Sequence, residues 1–344
     1  MQWVDLRSDT VTRPTPEMRQ VMMNAEVGDD VFGEDPTINR LQEMMAELTG
    51  KEAALFVPSG TQGNQVCINT HTQPGEEIIV ERRAHIINFE SGAPAMLSGV
   101  QVFPIDGKRG VITAEQIERA IRPTDIHHAP TKLICLENTH NIAGGTIFPL
   151  EEIKKISELA RQRQLKMHLD GARLWNASVA TGISLKEYCQ YFDSASLCFS
   201  KGLGAPVGSI IVGSREFIER ARYYRKAYGG AMRQAGILAA AAIYAIENNF
   251  PKLAEDHRRA HLLAEAIREL PGIRLDMESV QTNILIFNVD DRRMSAPQLV
   301  EKLREKGILM LSLGPDLVRA VFHLQISDID LERTIQAFHE ILGH

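Results

Sequence analysis

The chain has 344 residues, 44% of them hydrophobic, and its 38 Lys and Arg against 44 Asp and Glu leave a formal net charge of −6. That length suits a large domain plus a smaller one, and the apolar content is enough for a sizeable core. Mild acidity without a basic stripe argues against nucleic acid or an anionic membrane as partner and for a small-molecule site.

Arg7, Ser8 and Asp9 arrive before any periodic segment, so the first dozen residues read as an extended arm; their polar character does not fit a secretory signal. No run reaches a membrane-spanning length, and the expectation is a soluble, cytoplasmic chain. Asp35 and Pro36 open a helix by capping logic, with Ile38, Leu41, Met44, Met45 and Leu48 on one face and Gly50 ending it. From Ala53 a strand, loop, helix rhythm sets in, with strands expected at 53–57, 77–80, 100–105, 132–136, 165–169, 195–199 and 209–212. Seven short apolar strands with helices between most of them predict an α/β fold, a mainly parallel seven-stranded sheet covered on both faces. Past Pro251 the pattern changes to helix 253–270, strand 283–289, helix 297–306, strand 317–322 and helix 328–342. Residues 1–250 are therefore assigned to a large domain with its arm, and 251–344 to a small α+β domain. Cys67, Cys135, Cys189 and Cys198 lack Cys-x-x-Cys spacing and read as free buried thiols.

Three stretches carry chemistry. Lys201 follows the sixth strand and precedes a glycine-rich loop, where loss of solvation favours the neutral amine and makes it a nucleophile toward an aldehyde. Asp170 ends the fifth strand, and α/β sheets bind ligands at that edge. A Schiff-base lysine and an aspartate facing a pyridinium nitrogen are the pair that pyridoxal phosphate requires. In residues 58–64, Gly60 and Thr61 between a strand and a helix form a phosphate cradle; the plainer account is a turn capped by Ser59 or Thr61. Arg173, three residues after Asp170, can fork to a carboxylate. His127 and His128 are adjacent, so at most one enters a site, and no zinc-like spacing accompanies them; no metal is expected. Residues 137–141 follow the fourth strand as a site-edge loop.

The segments DLRSDTVTRP, VGDDVFGEDPTIN, KEAALFVPSGTQGN, LENTHN, HLDGARLWNA, SKGLGAPVGS and GGAMRQAGILAAA together resemble the low-specificity threonine aldolases, pyridoxal phosphate enzymes of the aspartate aminotransferase fold (fold type I). The resemblance runs nearly end to end, with several motifs in family order. It implies a Schiff base on Lys201, His85 stacked over the cofactor ring with Glu90 as a candidate support, and His127 near the substrate side chain. Ser8, Arg173 and Arg319 would hold the substrate carboxylate, and Arg173 the cofactor's phenolic oxygen as well. Ala320 and Phe322 beside Arg319 depart from the Leu and Thr that relatives tend to carry. Lys226 and Arg233 would reach the phosphate in a neighbouring subunit of a homotetramer whose sites are shared.

The activity implied is cleavage of a β-hydroxy-α-amino acid, L-threonine or L-allo-threonine, to glycine and acetaldehyde. His85, His127 or a water is the base, and the residues do not choose among them. A β-eliminating lyase or an amino-acid racemase on the same scaffold is the alternative. Gly202, Gly204 and Gly208 lack the G-x-G-x-x-G spacing that a dinucleotide-binding dehydrogenase would need.

Overall fold

The computed structural model describes residues 3–290 and 292–343. Seven strands form the principal sheet: β1 Ala53–Val57, β2 Glu77–Glu81, β3 Gln101–Ile105, β4 Thr131–Glu137, β5 Lys166–Asp170, β6 Ser194–Cys198 and β7 Ser209–Gly213. Their spatial order is β1-β7-β6-β5-β4-β2-β3, and β7 alone runs antiparallel to its neighbours. Six carboxyl ends therefore lie along one edge. Val57, Glu81, Glu137, Asp170 and Cys198 end there, and the loops that follow carry most of the residues singled out above.

Period-two alternation decides what each face of the sheet meets. On β5 and β6, Met167, Leu169, Ala195 and Leu197 point into the largest apolar cluster, together with Phe56, Ile134 and Trp175. His168, Asp170, Ser194 and Ser196 alternate with them on the opposite face, buried beneath helix Gly60–His71. A polar layer is thus built into the middle of an otherwise apolar sheet.

The capping logic at Asp35 holds: its carboxylate accepts the Thr37 and Ile38 amides at 3.1 and 3.0 Å, and Gly50 closes helix Pro36–Thr49 at φ 64°. Its buried stripe is narrower than the pattern implied. Ile38, Leu41 and Met45 are buried, while Leu48 is exposed and Thr49 is turned inward.

A second sheet, antiparallel, contains Ile273–Arg274, Ile284–Val289, Leu311–Ser312 and Leu317–Val321 and packs against helices Leu253–Ile267, Ala296–Glu305 and Asp328–Leu342. The arm joins this part of the molecule. Val4–Asp5 pairs in parallel with Ile308–Leu309, and Val4 and Leu6 are buried in the C-terminal cluster, so the chain crosses from there to the edge of the large sheet within a few residues. All four cysteines are free and buried. Among the described residues no helix is long and apolar enough to cross a membrane.

Candidate active site

Helix Gly60–His71 begins at the carboxyl end of β1, and the Ser59 hydroxyl caps it by accepting the Gln62 amide at 3.1 Å. The capping role weighed for Ser59 is therefore real, and it leaves the cradle in place. Gly60 lies so close to the end of β6 that a Cβ there would stand 2.6 Å from the Cys198 sulfur and 3.9 Å from Lys201 Nζ. The start of a twelve-residue helix, with its free N–H groups, thus faces the lysine. The Ser209 hydroxyl near Gly60 and the Ser196 hydroxyl against Gly63, one turn further on, are buried without a partner among the described residues. Cradle, lysine and spare donors fit the phosphate and aldehyde ends of one cofactor. Gly60→Ala should disturb both: overpacking of this kind costs about 1–3 kcal/mol, and cofactor affinity should fall with it. Adding Cys198→Ala should restore affinity in a binding titration, and failure to do so would refute the contact.

Lys201 is half-buried and donates to the Cys198 sulfur at 3.0 Å. Burial pushes its pKa down, as the sequence led us to expect, but the neighbouring Cys198 sulfur and Asp9 outweigh burial and the repulsion from Arg173, so the net shift is upward. The expectation of a neutral amine is thus reversed for the lysine on its own. In this setting it is an ammonium that must give up a proton before it can attack.

Asp170 is buried, accepting the Asn64 side-chain amide at 3.0 Å on one oxygen and the Ala172 amide at 3.2 Å on the other. The same Asn64 nitrogen donates to Glu90 at 2.8 Å, and Gln65 donates to the second Glu90 oxygen at 2.5 Å. Glu90 in turn holds His85 Nδ1 at 2.9 Å. Atoms of His85, Glu90 and Asp170 come within 4.8 Å of one another. Burial raises the Glu90 pKa, with Asp170 adding to it. Burial lowers that of His85, yet Glu90, Asp170 and Glu137 together carry it upward. Both shifts favour a proton held between Nδ1 and the Glu90 carboxylate, and among the described residues nothing bonds the half-exposed ring at Nε2. Glu90 is thus buried and in place as the support for His85.

Glu137 binds two backbone amides, those of His85 at 2.7 Å and Asn141 at 2.8 Å, and so fixes the loops after β2 and β4 to each other. Asn141 then accepts from Arg319 Nη1 at 3.0 Å, and Arg319 Nη2 donates to the Arg7 carbonyl at 3.2 Å. Arg319 Nε is buried with no partner. Burial, reinforced by Arg173, lowers the Arg319 pKa to about 10, the mark of a cation short of an anion.

Arg173 is placed differently from the sequence expectation. Its Nε and Nη2 form a two-pronged pair with the Asp9 carboxylate, both contacts at 2.7 Å, so this face of the guanidinium is not open to a ligand. Asp9 comes from the arm and is also held by Asn283 at 3.2 Å. Nothing in the sequence marked it beyond its position beside Ser8, whose hydroxyl caps the turn Asp9–Val11.

Three other candidates are not brought together with Lys201 in this chain. His127 is exposed in the loop before β4, at the amino end of the strands, with its amide on Asp125. β4 is seven residues long, so roughly 20 Å of strand separates that loop from the site edge. Lys226 is exposed in the last turn of helix Arg215–Ala227, and Arg233 is exposed and paired with Asp29 at 2.8 Å. The turn that follows Lys226 does approach the cradle, since Gln62 donates to the Tyr228 carbonyl at 3.3 Å.

A family model described as beta-eliminating lyase matches residues 5–292. The chain is 49% identical to the low specificity L-threonine aldolase of Escherichia coli (strain K12) over 94% of this chain and 95% of that protein. It is 46% identical to low-specificity L-threonine aldolase 1 of Arabidopsis thaliana over 99% and 97% of the two chains. Among solved structures, a Leishmania major threonine aldolase superposes with a TM-score of 0.85 at 21% identity, covering 98% of this chain and 99% of that one. A Sphingomonas wittichii serine palmitoyltransferase gives 0.78 at 18% identity, covering 98% and 86%, and these two likenesses speak to the fold.

Proposed function

The chain belongs to the beta-eliminating lyase family and, within it, to the low-specificity L-threonine aldolases; from that premise we propose that it binds pyridoxal phosphate at Lys201 and cleaves L-threonine or L-allo-threonine to glycine and acetaldehyde. The observation that carries the proposal is the convergence of Lys201, the Gly60 cradle and Asp170 on one sheet edge, with unpaired Ser196 and Ser209 hydroxyls at the cradle. The chemistry supplied by the cofactor when bound is an aldehyde for the amino group and a ring that takes up an electron pair.

The chain's own residues do the rest. Lys201 offers the amine, and the helix that starts at Gly60 stabilises a phosphate. Asp170, its orientation fixed by Asn64 and the Ala172 amide, would hold the ring nitrogen of the cofactor. His85 stands at the mouth of the site with Nδ1 on Glu90, so its Nε2 can exchange a proton with the substrate hydroxyl through the Glu90 pair. Arg319 has the unspent donor that a substrate carboxylate needs. Arg173, anchored on Asp9, contributes positive potential and at most its remaining Nη1, and Ser8, the residue before Asp9, would add a hydroxyl. Holding the carboxylate sets which bond at Cα stands perpendicular to the ring and breaks.

His127, Lys226 and Arg233 fit this reading as residues lent to a neighbouring copy in a homotetramer. Their exposure supports that arrangement, as does the place of His127 at the amino end of β4, opposite the site edge. A soluble, cytoplasmic setting accords with the same reading.

The decisive test supplies L-threonine and L-allo-threonine to the pyridoxal-phosphate-loaded enzyme and measures acetaldehyde and glycine in equal amounts. Ammonia without aldehyde would turn the reading to β-elimination, and loss of optical rotation alone would turn it to racemisation. Arg319→Gln should raise KM for threonine roughly tenfold to a hundredfold, the range for losing a charge-assisted hydrogen bond, with a smaller change in kcat. An unchanged KM would remove Arg319 from the carboxylate site.

A further inference from the structure

Asn64 has its side-chain amide between two acids, and an amide so placed can be turned either way. With nitrogen toward Asp170 and Glu90 it donates to both; with oxygen toward them it repels both. Its orientation is set on its far side, where Asn64 Oδ1 meets His168 Nε2 at 3.0 Å. His168 Nδ1 meets the Ser194 hydroxyl at 2.9 Å, and the same hydroxyl meets His71 Nε2 at 2.8 Å. The strand register explains the meeting, because His168 pairs directly with Ser194 and Asp170 with Ser196. His71 ends helix Gly60–His71, stacks on Phe217 at 4.5 Å and opens on a surface cavity of about 560 Å³ at the amino edge of the sheet.

With both rings neutral, one assignment of protons satisfies every link. If Asn64 gives both amide protons to the acids, its oxygen must accept, so His168 carries its proton on Nε2. His168 Nδ1 is then an acceptor, Ser194 donates to it, and the Ser194 oxygen accepts from His71 Nε2. Every hydrogen bond points the same way, from the sheet's amino edge to the two carboxylates, and aligned bonds strengthen one another. Both rings are neutral: burial pushes His168 down to about 4, and burial with His168 nearby pushes His71 down as well.

We propose that His168 is a positioning residue for the reaction, which fixes the Asn64 amide through its Nε2–H tautomer and so holds Asp170 and Glu90 as paired acceptors under the cofactor and behind His85. The inference rests on the reading of Asp170 as partner of the ring nitrogen. It assigns a use to a buried histidine whose two ring nitrogens are both taken up within the protein, by Asn64 and Ser194. A neutral dipole serves here where an imidazolium would not: a cation next to Asp170 would compete with the ring nitrogen for the carboxylate, whereas an amide donor steadies it without neutralising it.

The experiment compares His168→Leu, His168→Gln and Ser194→Ala in the full-length enzyme. His168→Leu should weaken pyridoxal phosphate binding roughly tenfold to a hundredfold and lower kcat by a similar factor, the range for losing a hydrogen bond to a charged group, here the Asn64 bond to Asp170 once its amide is no longer fixed. KM for threonine should stay within about twofold. His168→Gln keeps an N–H at the end of the side chain and should recover most of both losses, which a mere packing role would not produce. Selective ¹⁵N labelling of histidine should show His168 as the neutral Nε2–H tautomer, with or without cofactor. A folded His168→Leu enzyme with parental affinity and kcat would overturn the proposal, as would an Nδ1–H tautomer. Should His168→Leu not fold, Ser194→Ala decides by the same readings, because without the donor to Nδ1 the tautomer preference weakens. The tautomer is read without turnover, so its failure is separable from failure of the aldolase reading.

Discussion

Lys201→Ala should abolish aldehyde release from threonine, with kcat lower by roughly 10⁴-fold or more, as when the nucleophile of a cooperating set is removed. The purified variant should also lose the long-wavelength absorption band that parent enzyme shows with pyridoxal phosphate. Two features make the comparison clean. Among the described residues Lys201 Nζ has a single hydrogen-bond partner, Cys198 Sγ, so truncation strands no hydrogen-bonded carboxylate. The residues that hold the rest of the cofactor, the Gly60 cradle and Asp170, are fixed by their own partners, so the variant should still bind pyridoxal phosphate, only more weakly. Lys201→Arg keeps a positive charge and cannot form the imine. If its kcat falls as far as that of Lys201→Ala, the loss is one of nucleophile and not of charge. Near-parental turnover in either variant would move the nucleophile elsewhere. The upward pKa shift adds a pH expectation: turnover should rise with pH in the alkaline range if deprotonation of free Lys201 limits loading of the enzyme, and loading rates measured against pH test it.

The layered architecture was open to sequence reading because period and punctuation agree along the chain. Each expected strand matches an observed one to within a residue or so, as 53–57 and 209–212 illustrate against Ala53–Val57 and Ser209–Gly213. Lys201, Asp170 and Gly60 were legible for a related reason: each ends a strand or lies a few residues past one, and strand ends in such a sheet converge. Asp9 was not legible, because its partner Arg173 lies 164 residues away and the arm that delivers it is positioned by pairing with Ile308–Leu309, contacts that no local pattern encodes. The same holds for the Glu137 clamp, whose targets are backbone amides of two different loops. Asn64 and His168 were in plain view within motifs already singled out. The signal for them was the alternation of His168 with Met167 and Leu169, which puts a histidine on the same face of β5 as Asp170. His127 went the other way. Its side of the sheet follows from its place before β4, whereas the sequence reading weighed only which way adjacent side chains point.

Asp9 is where a substitution in the arm should have its largest effect on stability. Its carboxylate is fully buried against Arg173, which is itself 5% exposed. Burial alone would raise the Asp9 pKa, but Arg173, Lys201 and Asn283 bring it down to about 2, from an ordinary value of 3.8. The sign follows directly. A depressed carboxyl contributes stability that is fully present above about pH 4 and is lost as pH falls toward 2, about 2 kcal/mol in all for a shift of this size. Acid unfolding of parent protein should carry that component and Asp9→Asn should lack it. Removing the carboxylate altogether costs more, because Arg173 is then left buried and unpaired. Asp9→Ala should lower stability by about 3–5 kcal/mol, a large part of the total for any folded chain, and should weaken cofactor binding because the freed guanidinium is no longer held beside Lys201. The double variant Asp9→Leu with Arg173→Met separates the two losses. Replacing a buried ion pair by apolar side chains of similar size is often close to neutral, so denaturant unfolding should recover most of its midpoint. Activity should stay low in the double variant if the pair also shapes the site. Recovery of both would make the pair purely structural, and recovery of neither would mean that Asp9 acts chiefly by tying the arm to Asn283, which Asn283→Ala in the parent background would reproduce.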